Sequence, residues 1–297
     1  SLGEKNISLY VHFPFCKQKC HFCGCNSVLF DSDELSERYV RALLLEIDAV
    51  LAYVDVKNRP VTQIHWGGGT PNNLSVENIE RIMNKFRSLV RFAPNAEIAI
   101  ECNPAYLDRE YVFALSKMGF NRISLGIQDF NKQVLDGINR AQSKLPVDEL
   151  ISVLREVGFK GVNIDLVYGL PYQTIESFKH TVAKAVALRP DRLVTFSYAH
   201  MPNLMPAQKL MNTEMIPSDD TKLDLYLEAR DIITNAGYSV IGFDHFALAS
   251  DNLAIALSQK KLHRNFQGYC TRETTGQVYA FGARSEERRV GKECATL

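Results

Sequence analysis

Two rhythms of apolar and polar positions alternate along this chain. Short β-rich runs recur at Leu9–Phe13, Val61–Trp66, Ala96–Glu101, Arg122–Gln128, Gly161–Asp165 and Arg192–Ser197, and their length and composition predict strands. Between them lie stretches with a helical apolar stripe: Asp33–Val54, Ser75–Phe92, Arg109–Met118, Val147–Val157 and Glu176–Leu188. Ser75 and Thr174 read as helix N-caps, each with a glutamate two residues on, near the positive helix end. Gly119 and Gly158 fall where helices should stop. Strands alternating with helices predict an α/β fold whose parallel sheet is built through right-handed crossovers. Six such units point to a barrel or partial barrel.

In a β/α barrel, chemistry gathers at the C-terminal strand ends. Here those ends deliver a cysteine loop after the first strand, Gly67-Gly-Gly-Thr-Pro71, Glu101, Gln128-Asp129, Asp165 with Tyr168-Gly-Leu-Pro171, and Tyr198-Ala-His200. One such polar residue is ordinarily a cap or turn; six in succession predict a shared mouth. The glycine run lets backbone approach a ligand closely. It lacks the Gly-Lys-Ser/Thr ending of a phosphate loop. Glu101 and Asp165 are placed to accept hydrogen bonds from ribose hydroxyls, or else are surface strand-end charges. Trp66, Cys102 and Cys270 read as packing residues.

Composition narrows the class. The chain has 297 residues, 46% of them hydrophobic, enough for one large domain or two small ones. Its 34 basic and 34 acidic residues cancel, so charge gives no case for a nucleic-acid or acidic-membrane partner. No apolar run is long enough to span a bilayer, and the first residues carry no signal-type apolar stretch. A cytoplasmic, monomeric protein is expected, in which seven cysteines signal cofactor chemistry rather than disulfides.

Three of those cysteines form Cys16-Lys-Gln-Lys-Cys20-His-Phe-Cys23. Thiolates so close on one loop can wrap a corner of a [4Fe–4S] cluster. Three ligands leave the fourth iron open for a small molecule with an amine and a carboxylate. Zinc and chance are the alternatives. Structural zinc favours two separated ligand pairs, and no second C-x2-C pair occurs here.

The C-x3-C-x2-C spacing with Phe22 before the third cysteine resembles the signature of the radical S-adenosylmethionine (SAM) enzymes. Ser8-Leu-Tyr-Val-His-Phe-Pro-Phe-Cys16, Cys23-Gly-Cys25-Asn26, Gly119–Phe130, Asn139-Arg140, Asn163–Pro171, Ile241–Ala247 and His263–Tyr269 resemble the oxygen-independent coproporphyrinogen III oxidase family. The resemblance runs from about Ser8 to Ala283. It implies an incomplete (β/α) barrel and a cluster on Cys16, Cys20 and Cys23, with Cys25 not a ligand. It implies two SAM molecules, one chelating the cluster, and SAM contacts from Tyr10, Phe22, Gly68, Gly69, Thr70, Glu101, Gln128, Arg140, Asp165 and backbone at Ala199. The implied reaction takes coproporphyrinogen III to protoporphyrinogen IX: two propionates become vinyl groups, with a one-electron donor driving SAM cleavage. Arg264 and His245 are expected on the substrate side, since arginine suits carboxylates. A haem chaperone or another radical SAM tetrapyrrole enzyme is the alternative. Glu101-Cys-Asn-Pro-Ala105 replaces the Glu-x-Asp-Pro-Arg of some family members. Residues 1–283 are expected to form the partial barrel. The family's N-terminal extension and C-terminal helical domain are expected to be missing, leaving the chain inactive or weakly active. Arg284–Leu297 reads as a non-native tail, the translation of sequencing-adapter DNA.

Overall fold

The computed structural model describes residues 6–29, 32–265, 268–271 and 277–283. The expected tail, Arg284–Leu297, and Phe266 and Gln267 of the last family string lie outside the described residues.

Six parallel strands form the body of one sheet: β1 (Ile7–Phe13), β2 (Val61–Gly68), β3 (Phe92–Cys102), β4 (Arg122–Gln128), β5 (Gly161–Tyr168) and β6 (Arg192–Ser197). Three shorter strands complete it: β7 (Tyr238–Val240), β8 (His245–Leu248) and β9 (Gln277–Gly282). The order is β9-β1-β2-β3-β4-β5-β6-β8-β7. β9 returns to lie parallel beside β1, whereas β8 runs antiparallel to both its neighbours, β6 and β7. Among the described residues the two ends of the sheet do not pair with each other, so the barrel is incomplete.

The crossover helices are α1 (Asp33–Leu51), α2 (Val76–Leu89), α3 (Arg109–Lys117), α4 (Lys132–Gly137), α5 (Val147–Glu156), α6 (Ile175–Ala187), α7 (Asp219–Asn235) and α8 (Asn252–Ser258). Ser75 accepts the Asn78 N–H, and Thr174 and Ser177 form a reciprocal cap. Gly119 and Gly158 end their helices at φ +83° and +95°, a backbone region glycine enters without a Cβ penalty.

Side chains alternate across each strand, and this sheet sorts them sharply. Ile64, Trp66, Ile98, Ile100, Ile123, Leu125, Ile164 and Leu166 are buried beneath helix residues such as Ile47, Ile82, Phe86, Leu115, Leu154 and Phe178. The opposite face carries Gln63, His65, Glu97, Glu101, Arg122, Ser124, Asn163, Asp165 and Arg192, which line an internal cavity of about 580 Å³. An apolar layer therefore holds the fold together from outside, and a polar lining is left for chemistry.

Candidate functional site

The cysteine loop caps one wall of the cavity. Cys16, Cys20, Cys23 and Cys25 all line it. Gly69 N–H bonds Phe13 O at 2.8 Å, and Val28 N–H bonds Pro14 O at 2.8 Å, fixing the loop's two stems. The far side is clamped to the segment after α4: Gln18 Nε2 donates to Asn139 Oδ1 at 2.7 Å, Asn139 Nδ2 to Lys19 O at 3.0 Å, and His21 N–H to Ile138 O at 2.9 Å.

Each thiol of the trio receives a donor. Thr70 Oγ donates to Cys16 Sγ at 3.3 Å, Arg140 Nη1 to Cys20 Sγ at 3.5 Å, and Cys25 N–H to Cys23 Sγ at 3.4 Å. Burial pushes the Cys16 and Cys20 thiols up, with Thr70 and Arg140 working against it. Cys23 goes the other way, down to about 6, chiefly because the Cys25 thiol donates to it; Cys25 is raised in return. Among the described residues no three His, Cys, Asp or Glu side chains converge as one metal ion requires. Three thiols spread round one loop, each with a donor favouring thiolate, are instead the donor set an iron–sulfur cluster takes.

The strand ends supply the rest of the rim. Gly67 abuts the Glu101 carboxylate, where a Cβ would stand 2.9 Å from Oε1. Gly69 leaves no room for a Cβ, which would sit 2.6 Å from Pro14 O and 3.0 Å from Cys16 Sγ. His65 Nε2 bonds Glu101 Oε1 at 2.8 Å. Burial is the largest influence on His65 and opposes its charge, but the Glu101 bond and the negative charges of Glu101, Glu97 and Asp165 together outweigh it, and the imidazole is raised. Asp165 accepts from Ser124 Oγ at 2.6 Å and Asn163 Nδ2 at 2.7 Å. Burial still lifts it to about 6, with Glu101 adding repulsion. Gln128 sits at φ 69°, turning its backbone at the strand end. Arg140 donates to Gly126 O as well as to Cys20.

Of the residues singled out from sequence, Phe22, Gly68, Gly69, Thr70, Glu101, Gln128, Arg140, Asp165, Ala199 and His245 all line this one cavity. Tyr10 and Arg264 are not among its lining residues. Tyr10 is buried behind it, its hydroxyl 3.1 Å from His12 Nδ1 and its ring stacked on His65. Arg264 is exposed, its guanidinium over the Tyr269 ring. His245 is held by Asp244 at 2.6 Å. His200 bonds the Tyr198 hydroxyl instead of facing the cavity. Attention to strand ends passes over His65, Arg122, Ser124, Asn163 and Arg192. Their signal was the polar half of the strand alternation, as in Arg122-x-Ser124-x-Gly126-x-Gln128.

A parallel partial barrel with a three-thiol loop at its mouth defines a class. The chain belongs to the radical SAM superfamily, whose family model matches residues 10–185. Its curated relatives are narrower in kind. The oxygen-independent coproporphyrinogen III oxidase of Synechocystis sp. is 44% identical over 279 residues, 94% of this chain and 59% of that protein. The enzyme of the same name from Escherichia coli K12 is 44% identical over 272 residues, 92% of this chain and 59% of that protein. The solved structure of coproporphyrinogen III oxidase (HemN) from Escherichia coli, described as a radical SAM enzyme, superposes with a TM-score of 0.89 at 42% identity, covering 94% of this chain and 64% of that one. The chain thus spans about three fifths of the relatives it matches.

Proposed function

We propose that this chain is the radical SAM core of an oxygen-independent coproporphyrinogen III oxidase, converting two propionates of coproporphyrinogen III to vinyl groups. One observation carries the reading: three loop thiols and two strand-end carboxylates, Glu101 and Asp165, share one cavity in a chain aligned over 94% of its length with such an oxidase. Cys16, Cys20 and Cys23 would hold a [4Fe–4S] cluster. When bound, the cluster with SAM would supply the radical hydrogen abstraction that oxidative decarboxylation of a propionate requires.

The chain's own residues handle binding and exclusion. Glu101 and Asp165 accept the ribose hydroxyls. Gly68, Gly69 and Thr70 bring backbone close to the methionine amine. Phe22, Gln128, Arg140 and Ala199 complete the SAM contacts, with His245 on the substrate side. The buried wall keeps water and oxygen from the reacting atoms. A cytoplasmic monomer fed by a one-electron donor goes with this reading. Among the described residues no helix is long and apolar enough to cross a membrane.

The test is turnover. The protein is purified and cluster-reconstituted without oxygen, then given SAM, a reductant and coproporphyrinogen III. Loss of two carboxyl carbons as CO2, at a low rate in this chain and abolished by Cys20→Ala, is the expected result. SAM cleavage beside intact substrate would move the reading to another tetrapyrrole. Haem binding without SAM cleavage would replace it with a chaperone.

A further inference from the structure

Below the rim, the cavity floor is charged in a way the SAM site does not use. Glu97 and Arg122 meet at 2.9 Å, and Asp251, at the start of α8, bonds Arg122 Nη2 at 3.2 Å and Arg192 Nε at 2.9 Å. All but Asp251 line the cavity. Every carboxylate oxygen here is engaged. Glu97 Oε1 takes Gln63 Nε2 at 2.9 Å and Oε2 takes Arg122. Asp251 Oδ1 takes Leu253 N–H and Arg192, and Oδ2 takes Arg122.

The donors are not all used. Among the described residues Arg192 is bonded through Nε alone. Arg122 Nη1 is sealed from solvent without a partner, as are Gln63 Oε1 and Asn163 Oδ1. Gln63 is only 7% exposed. Buried polar atoms in native proteins are nearly all paired, and leaving one unpaired is unfavourable. Three orphans around one floor mark an incomplete network.

We infer that this floor is a carboxylate subsite, in which the free edge of the Arg192 guanidinium, backed by Arg122, grips one propionate of the substrate while another is presented at the rim. The inference rests on the oxidase reading above. An arginine fork matches a carboxylate, and the floor is electroneutral until the ligand arrives, with two arginines against two acids. Arg122 lies four residues before Gly126 on one strand, so floor and rim are about 13 Å apart. A macrocycle bearing carboxylates round its edge bridges such a span.

The test titrates coproporphyrin III and its tetramethyl ester into the purified protein, followed by porphyrin fluorescence. Wild type, Arg192→Gln and Arg192→Lys are compared, with a thermal melt to establish folding. The free acid should bind wild type more tightly than the ester. Arg192→Gln should weaken the acid at least tenfold and leave the ester unchanged. Arg192→Lys, which keeps the charge beside Asp251 but loses the fork, should lie between and covers the case in which Arg192→Gln does not fold. Wild-type acid affinity in a folded variant, equal loss for acid and ester, or no acid preference in wild type overturns the subsite. Turnover is read separately. Decarboxylation with affinity indifferent to Arg192 keeps the oxidase and sinks the subsite. Arg192-dependent binding without decarboxylation does the reverse.

Discussion

The pairing of His65 with Glu101 shows how one residue in a strand body governs another at its rim. Glu101 is half-exposed, and the His65 bond at 2.8 Å fixes its orientation. Because the His65 imidazole is raised by this partner, its contribution to stability is complete below about pH 6.5 and is lost as pH rises through the elevated value. His65→Phe should therefore weaken SAM binding several-fold with iron content unchanged, and flatten the pH dependence of SAM affinity above neutrality. Isothermal titration across pH checks this; an unchanged profile would show that Glu101 orients itself. Asp165 carries the opposite sign from most aspartates. Its carboxyl is raised to about 6, so the folded state binds the extra proton and stability falls as pH climbs from about 4 to 6. Asp165→Asn should raise the melting temperature by a few degrees at pH 8 and by almost nothing at pH 4, while SAM affinity drops. The Asn163 amide has an unused Oδ1 and can turn to meet the new amide. No stabilisation at pH 8 would mean that water already relieves the buried charge.

At the scale of elements, β4 and β6 begin and end where their patterns say, at Arg122–Gln128 and Arg192–Ser197. β5 runs three residues past the expected Asp165, because Leu166, Val167 and Tyr168 continue its buried run. α7 is absent from the pattern reading. Asp219–Asn235 is acidic, and Leu223 and Leu227 are exposed, so its apolar positions give no single stripe. β7 and β8 are three and four residues long, too short for alternation to register. The rim was legible because glycines, cysteines and carboxylates stood at strand ends. The floor was not, because Arg122 and Arg192 look like ordinary strand-start charges until the sheet curls and brings Asp251 between them. The glycine-rich turn gives the prediction of this scale. Gly69→Ala puts a methyl against the Pro14 carbonyl, a backbone atom that cannot swing aside. It should displace the Cys16 stem and cut reconstituted iron and sulfide by more than half, whereas Gly158→Ala, with open space around it but φ +95°, should cost about 1 kcal/mol and leave the cluster intact. Equal iron loading in the two variants would mean the turn does not set the loop.

Across the whole molecule, the loop that carries the thiols depends on a strand from the other end of the described chain. β1 is buried along its full length and flanked by β2 and β9. β9 is pinned by its backbone to α1, with Gly282 N–H on Glu46 Oε2 at 2.8 Å and Ala283 N–H on the Tyr39 hydroxyl at 2.9 Å. Tyr39 in turn donates to His12 O at 2.6 Å, four residues before Cys16. Phe281 is fully buried and meets Phe86 edge-on at 5.4 Å, so β9 is packed into the core as well as hydrogen-bonded at its edge. Phe281→Ala should cost about 3–5 kcal/mol, a fall of about 10 °C in melting temperature for a protein of this size. Because the loss falls on the strand beside β1, iron loading should fall with it. A core alanine of similar cost on the opposite side of the barrel, Phe178→Ala on the buried face of α6, should lower the melting temperature equally and spare the cluster. Melting curves and iron analysis of the two variants side by side decide the matter: equal iron loss in both would mean that general loosening, not the β9–α1 brace, governs the loop.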